Sequence, residues 1–598
     1  MKKYTVEELI AIFEKHSDAT NIFTDELRAR VLNNPVLKDY INDLKEMYKV
    51  YTENMTVALP FTKFKRYFKD GNRPDGEYWY YYNRRKLHTI ALMAWLFDEK
   101  EYYDELENIL WAIMDEYVWN IPAHISSTGL TELQQDDFII DLFSAETCQS
   151  IAEILEMTGD KLEPIITKRA LRMIDERCFD VLHKPFFWKT RKQSWSSTCA
   201  SNVGMTALYV KKDPKELAKI IYSCLDTLEY YRAGCSDDGA YTEGLAYWGG
   251  AFGRYVFFGE MLRRRTNGDI DLFDDEKVRL VAQFPFKCLF KGGKVTTFSD
   301  CGGSDSIKFD FSFYTKLKEL IPEVTIPGKD FCTTTYPKGG CPPFSSTLRQ
   351  LIWAPEEFNL SDFKPGTYIL PIAQYYISST DNGIGLAAKA GYNWDLIEHH
   401  NHNDVGNIII YKNGQNLISD LGGGVYSASY FDESVRYDNF ACSSLGHSVP
   451  IIDGKAQGYG ESCCASGTVI TEEDGLTADI SAAYENENLE SLVRSVRLDR
   501  NEARVYLKDS YKFKSKPTSV VERFISYNEI KLENGVVTVT SNGETLTFGY
   551  DESLLKPVLR VYDDVENKVR HRSGFKVHIV DFELIEPKEE FTLELTME

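Results

Sequence analysis

The chain has 598 residues, 43% of them hydrophobic and 27% charged, a make-up typical of globular proteins and long enough for two to four domains. Its 68 lysines and arginines stand against 91 aspartates and glutamates, a net charge of −23 that argues against nucleic acid or an anionic membrane surface as the main partner. No window approaches the ~18 consecutive apolar residues that a membrane helix requires, so no membrane partner is expected.

The first ten residues, Met1 to Ile10, carry Lys2 and Lys3, but Glu7 and Glu8 follow, without the apolar core or small-residue cleavage site of a signal peptide. A cytoplasmic location is the expectation, and a secreted or periplasmic one if such a segment had been trimmed. The 12 cysteines form no spaced pairs and Cys463-Cys464 are adjacent, which points to reduced thiols and to neither a disulfide framework nor a cysteine-based zinc finger.

Up to about Leu320 the apolar residues recur at helical spacing. The pattern predicts helices over Val6 to Phe13, Val36 to Met55, Leu87 to Phe97, Tyr102 to Tyr117, Ala145 to Leu155, Leu162 to Phe179, Pro214 to Tyr231, Trp248 to Arg265 and Glu276 to Phe290. Asp213-Pro214 is a start signal, a capping side chain followed by proline in the first turn. Helices joined by short connections run antiparallel, and many such hairpins indicate a helical barrel or solenoid, although no fixed-period repeat is present. Arg84-Arg85-Lys86 and Lys189-Thr190-Arg191-Lys192 are candidate basic patches, with solvated helix-end charge as the commoner alternative.

Between Ile321 and Thr367 the texture changes, with Pro322, Pro327, Pro337, Pro342, Pro343, Pro355 and Pro365 and one short helical piece near Ser346 to Trp353. A surface linker over residues 321–366 is expected, dividing a helical domain, 1–320, from a strand domain, 367–598. Beyond the linker the period is two: Tyr368 to Ser378, Gly385 to Lys389, Val405 to Tyr411, Gly467 to Thr471, Leu492 to Leu498, Arg504 to Lys508, Ser519 to Ile525, Val536 to Ser541, Val558 to Tyr562, Lys576 to Phe582 and Phe591 to Thr596 read as strands. Asn-Gly and Asp-Gly turns at Asn413, Asp453, Asp474, Asn534 and Asn542 divide them, the signature of an antiparallel sandwich.

Glu398-His399-His400-Asn401-His402-Asn403-Asp404 places three of ten histidines within four positions, just before the strand expected from Val405. In extended chain, alternate side chains share a face, so His400 and His402 point one way and His399 and Asn401 the other. Downstream, Asp420 ends an apolar strand beside a glycine-rich turn, and His447 opens another strand. Neutral imidazole and carboxylate are zinc ligands, and neighbouring strands can bring them together, so His402, Asp420 and His447 are a candidate metal site. Three separately satisfied buried hydrogen bonds fit the same residues.

These features resemble the heparinase II/III-like polysaccharide lyases. The resemblance runs through Trp119-Asn120-Ile121-Pro122-Ala123-His124 and Ile140 to Thr147, through Ser194-Trp195-Ser196-Ser197-Thr198-Cys199 to Met205, through Asp238-Gly239 to Tyr247-Trp248, and through His400 to Gln457. It spans roughly residues 80 to 460 and is specific in combination. It implies an incomplete N-terminal α/α toroid followed by a C-terminal antiparallel β-sandwich, with the cleft between them. It also implies β-elimination at a 4-linked uronate in an acidic glycan, which needs a group to neutralise the carboxylate, a base at C5 and an acid at the leaving oxygen.

By resemblance Tyr247 and His400 are the acid and base, and Gln193 stands where the family carries Asn or His as carboxylate neutraliser, an amide of like donor capacity on a longer stem. Packing beside Trp248 is the plain alternative for Tyr247. Arg191, Lys192 or Arg436 would supply charge toward an acidic sugar, and Trp195, His124 and Glu146 would line the cleft, the last two with a capping or buried hydrogen-bonded role as the alternative. His402, Asp420 and His447 match the family's structural zinc positions. Two other readings remain open: a glycoside hydrolase on a helical toroid, enlisting Asp237, Asp238 and Glu243, and a catalytically inactive glycan-binding protein.

Overall fold

Burial on all sides, rather than amphipathic patterning, governs the middle of the helical half. The computed structural model describes residues 2–17, 22–53, 59–125, 138–301, 305–358, 360, 362–394, 400–563, 569 and 575–598. Within them, helices run from Val6–Lys15, capped by Thr5 in a reciprocal box with Glu8, to Phe311–Leu320. At the centre lies Ser194–Val210, packed against Leu142–Thr158, Pro214–Gly234 and Gly253–Arg265. Its buried positions include Ser196, Ser197, Ala200, Ser201 and Ala207, small side chains that let three neighbouring helices approach. Because every face is covered, the segment carries no apolar stripe, and hydrophobic spacing did not mark it as a helix.

Other boundaries moved for local reasons. Pro74–Phe97 starts well before Leu87, and its first half includes Arg84, buried against Glu116 at 2.7 Å, where a charged residue masks the apolar spacing. Arg84-Arg85-Lys86 is therefore not a basic surface patch, since Arg84 and Lys86 are both interior. The helix expected to run unbroken from Trp248 is Leu245–Tyr247, a π-helical turn Trp248–Phe252, and then Gly253–Arg265. Glu276–Lys287 stops soon after Pro285, and Leu289–Phe290 instead pairs with Lys294–Val295 as a short hairpin. The proline-rich stretch is not only surface: Phe344–Ile352 buries Phe344, Leu348 and Leu351 in the helical core, and Arg349 meets Glu153 at 3.0 Å. Pro342 and Pro343 precede a helix start, a position proline tolerates well.

The strand half is built on a five-stranded antiparallel sheet in chain order: Thr367–Leu370, Tyr375–Ser379, Ile384–Lys389, Ile408–Lys412 and Gln415–Ile418. The strand expected over Tyr368 to Ser378 is thus two, turned through Gln374 at φ 59°. This sheet is the middle layer of the molecule. Ile377, Ala387, Ile409 and Tyr411 join the helical core, while Tyr376, Leu386, Ala388, Ile408 and Ile410 join the core on the opposite face. The period of two assigns alternate residues to two hydrophobic cores. Behind it stands an eight-stranded antiparallel sheet from Ser466–Thr471 to Ile530–Glu533, flanked by a four-stranded sheet of Ile451–Ile452, Val520–Ser526, Val577–Leu584 and Leu555–Tyr562. Across the seam, the Asp238 carboxylate accepts the backbone N–H groups of Ile372 and Ala373 at 2.7 and 3.0 Å, and the Tyr411 hydroxyl donates to Val295 O at 2.8 Å.

Under the middle sheet, buried Arg494 donates to Asp509 and, at 2.8 Å, to Glu522, and its other nitrogen donates to Gly406 O at 2.9 Å and Ser448 O at 3.2 Å. It thereby holds the two segments that carry the histidines. Two interior carboxylates share one guanidinium, and burial together with the neighbouring Asp509 pushes Glu522 well above the usual carboxylate range. The folded state therefore prefers Glu522 protonated. The stability this proton confers is full below the unfolded pKa near ~4.3 and declines as pH rises through the raised folded value. Glu522→Gln is expected to flatten that decline, so urea denaturation from pH 5 to 9 should show a smaller pH slope than wild type. An unchanged slope would contradict a protonated Glu522 in the folded state.

Candidate active site

Asp300 is the point where the two halves of the molecule meet chemically. It follows the Lys294–Val295 strand through Ser299, whose φ of 62° turns the chain into the interior. Its carboxylate, with no exposure, accepts from His400 Nδ1 at 2.8 Å, His402 Nε2 at 2.9 Å and the Tyr426 hydroxyl at 3.2 Å, and also from the Tyr430 hydroxyl. Arg436 Nη2 lies 3.4 Å from both oxygens, and Asp300 N–H donates to His400 O at 3.1 Å. Burial alone would push this carboxyl up, but the Arg436 charge and the two imidazole hydrogen bonds hold it well below its ordinary value. A carboxylate has no proton to give, so each facing ring nitrogen carries one. The glycine-rich turn has its reason here, because a Cβ at Gly423 would stand 3.3 Å from Asp300 Cα and Oδ1.

His400 and His402 do share one face, although residues 400–407 form a loop and the strand begins only at Ile408. Asn401 faces away and accepts from the Tyr437 hydroxyl at 3.2 Å. Glu398 and His399 lie outside the described residues.

Tyr247 arrives from the helical side. Gly244, at φ 109° and with Cys301 N only 3.1 Å from where a Cβ would sit, lets the Glu243–Tyr247 turn lie against the Asp300 segment. The Tyr247 ring centroid is 4.2 Å from that of His400, and its hydroxyl is hydrogen-bonded to the Tyr426 hydroxyl. The π-helical turn that follows resets the helix register directly after this tyrosine, so Trp248 turns inward and donates to Val281 O at 2.8 Å. Glu243 accepts the Ser194 N–H at 2.8 Å through one oxygen, and its other oxygen is 3.8 Å from His400 Nε2. Gln193, the buried cap residue of Ser194–Val210, makes no capping bond to its own helix and lines a small pocket with Lys192, Tyr231, Cys235 and Glu243.

The other sequence candidates divide. His124 Nδ1 is 2.9 Å from Asp141 Oδ2, and the His124 ring is 4.6 Å from Trp195, which in turn lies 4.9 Å from half-exposed Phe187. Glu146 is ion-paired with Arg254. Arg191 and Lys192 are exposed at the start of the central helix. Arg436 is not placed to hold a substrate: it is 2% exposed, and besides Asp300 it donates to Tyr430 O at 3.0 Å and Asn401 O at 3.1 Å. It is the counter-ion of Asp300. Asp237 pairs with Lys277 at 2.5 Å and Asp238 ties the seam, so neither is placed as one of a hydrolase's two carboxylates. Sequence reasoning missed Asp300, Tyr426 and Tyr430. Asp300 lies some hundred positions from the histidines, in a segment with neither helical nor strand spacing, and only the two tyrosines, close behind the glycine-rich turn, carried a usable signal.

His402, Asp420 and His447 are all buried, with one ligand atom of each within 4.8 Å of the others. His447 Nε2 faces Ala441 O at 3.1 Å, so it carries a proton, and Nδ1 lies 3.3 Å from both Asp420 Oδ2 and Asn407 Nδ2. His402 directs Nε2 to Asp300, and its buried Nδ1 has no hydrogen-bond partner among the described residues. Two imidazole rings and a carboxylate converge here, with Asn407 Nδ2 2.7 Å from Asp420. Burial works against a charge on His402, yet Cys442 and Asp300 raise its pKa to about 10, so an ion bound at this ring would displace its second proton. The donor set fits a zinc-like cation. An overlapping set, Asp300, His402 and Cys442, shares the same ring.

Residues 370–587 match the family model described as Heparinase II/III-like, C-terminal. The whole chain shares its fold with several polysaccharide lyases. Heparinase III superposes at a TM-score of 0.62, with 13% identity over 99% of this chain and 89% of that one. Heparan sulfate lyase HepC from Pedobacter heparinus gives 0.59, with 14% identity over 99% and 88%. Chondroitin AC lyase from Streptomyces coelicolor A3, as a mutant, gives 0.54, with 11% identity over 97% and 82%. The architecture is therefore the incomplete α/α toroid with a β-sandwich found in these lyases. No match was found among curated proteins.

Because Arg436 compensates a fully interior carboxylate, Arg436→Met is expected to destabilise the protein by about 3–5 kcal/mol in urea denaturation. A loss below ~1 kcal/mol would return Arg436 to the exposed, substrate-facing role.

Proposed function

We propose that this protein is a polysaccharide lyase that cleaves 4-linked uronate glycans by β-elimination, leaving an unsaturated uronate at the new end. The observation that carries the reading is the Tyr247 ring against His400, 4.2 Å apart, one from the toroid and the other from the sandwich, with a second hydroxyl at hand on Tyr426. Abstraction of the C5 proton and protonation of the leaving oxygen are steps for two such groups brought side by side from the two halves. Tyr426 donates its one hydroxyl proton to Asp300, so in the bond between the two tyrosines Tyr247 is the donor and Tyr426 the acceptor, which suits Tyr247 as the proton-bearing acid.

Gln193, at the N-terminus of Ser194–Val210, offers its amide to the uronate carboxylate, and the positive end of the helix macrodipole adds to it. Trp195, with Phe187 and His124 beside it, offers ring faces against which a sugar can stack. The reading gains further support from the polysaccharide lyases that share the fold. Hydrolysis is disfavoured because Asp237 and Asp238 are engaged elsewhere.

The test is the ultraviolet absorbance of unsaturated uronate over a panel of uronic-acid polymers and oligomers. Wild type is expected to generate it, and Tyr247→Phe to lower kcat by about 10²–10⁴-fold. Binding without any rise in absorbance would favour the inactive glycan-binding alternative.

We further propose that His402, Asp420 and His447 hold a zinc ion that ties the loop of His400 to the glycine-rich turn and to the segment entering Ile451–Ile452. When bound, the ion supplies fixed positive charge and a rigid tie, and the acid and base remain Tyr247 and His400. Metal analysis is expected to find about one zinc per chain, lost in His447→Ala. Saturation at 100 times Kd should stabilise the folded state by about 2.7 kcal/mol. The absence of both metal and any zinc-dependent shift in melting would remove the metal from this account.

A further inference from the structure

We propose that Asp300 is a single positioning residue for two histidines, holding His400 with Nε2 toward the cleft and His402 with Nδ1 toward the metal set. The proposal rests on the lyase and metal readings above, but its central claim concerns ring orientation. Oδ2 receives His400 Nδ1 at 2.8 Å and Oδ1 receives His402 Nε2 at 2.9 Å, so one carboxylate engages opposite nitrogens of two rings only two residues apart. The nitrogens left over are then available to other partners: His400 Nε2 lies on the side of Glu243, and His402, whose Nδ1 has no hydrogen-bond partner among the described residues, is one of the set with Asp420 and His447. An Asp300 that merely balanced Arg436 would need neither contact, and the guanidinium is farther away, at 3.4 Å, than either imidazole.

The carboxylate is itself prevented from swinging. Tyr426 and Tyr430 donate to it, its own N–H is bonded to His400 O, and Gly423 leaves no spare room above its Cα. Asp300 comes from the helical half and both histidines from the strand half, so the contact also sets how the two walls of the cleft register on each other. A continuous path of contacts results, from the metal set through His402, Asp300 and His400 to Tyr247. No bond is made or broken along it. Partners of this kind, which orient a ligating or reacting histidine, typically change metal affinity or activity by about 10–100-fold when removed.

The first measurement is the imidazole 15N spectrum of wild-type protein labelled in histidine, with His400 assigned by comparison with His400→Gln. His400 is expected to carry its proton on Nδ1, and a proton on Nε2 alone overturns the proposal whatever any variant does. The second measurement compares Asp300→Asn and Asp300→Glu with wild type. An amide of the same size accepts through one atom and donates through the other, so it satisfies at most one histidine in its present tautomer. Asp300→Asn is expected to weaken zinc about 10–100-fold in chelator competition and to lower kcat by a similar factor, with KM within about threefold. Asp300→Glu should recover part of either loss.

A variant that loses only thermal stability, with zinc affinity and kcat each within about threefold of wild type, would falsify the positioning role. If wild type releases no unsaturated product from any uronan, the lyase reading fails while the spectrum and zinc arms still decide the role of Asp300. If wild type binds no zinc, the spectrum and kcat decide it.

Discussion

A fully buried carboxylate is affordable only where its charge and both its oxygens are met, and Asp300 meets that condition by drawing on distant parts of the chain. Arg436 supplies the opposite charge, while two tyrosines and two histidines supply hydrogen bonds. Removing any one leaves an interior ion short of a partner, so the groups are mutually dependent. The chemistry of the site grows out of that dependence. Rings held by one of their nitrogens leave the other for a second partner, as His400 Nε2 lies on the side of Glu243.

The five-stranded sheet makes such a meeting possible. It is covered on both faces, one by the helical core and the other by the sandwich core, so the two halves share a hydrophobic layer rather than touching at their surfaces. Most loops bearing the site leave the edge of this layer or fold back onto it. Arg494, reaching from the eight-stranded sheet to Gly406 O and Ser448 O, fixes the segments behind His400 and His447 from below. From above, the Glu243–Tyr247 turn leans on Cys301 through Gly244. The candidate site is thus held on both sides by packed elements, the condition under which side chains keep a fixed placement.

Much of this was legible in the chain itself. Helical spacing to Leu320 and a period of two beyond it state the order of the two halves, because a side chain's burial follows directly from the geometry of its own element. Asn534-Gly535 and Asn542-Gly543 turn with positive φ at both residues, as their dipeptides predict. His400, His402, Asp420 and His447 stood out as candidates because they cluster on or beside apolar segments. The helix Ser194–Val210 did not stand out, since a helix enclosed by others has no polar face to alternate with. Nor did the interior character of Phe344–Ile352, where prolines that read as surface punctuation open a buried helix.

What the sequence by itself determined is local: which segments coil, which extend, where they turn, and which rare side chains fall close together along the chain. Tertiary structure alone decided which distant groups share a charge. Arg436 reads as a surface cation for an acidic ligand, and Asp300 reads as nothing in particular. Packed together out of water they become one ion pair, with Asp300 also the centre of the site. The reason is physical. Desolvation and partnership depend on distance through the folded interior, and no spacing along the chain encodes that distance.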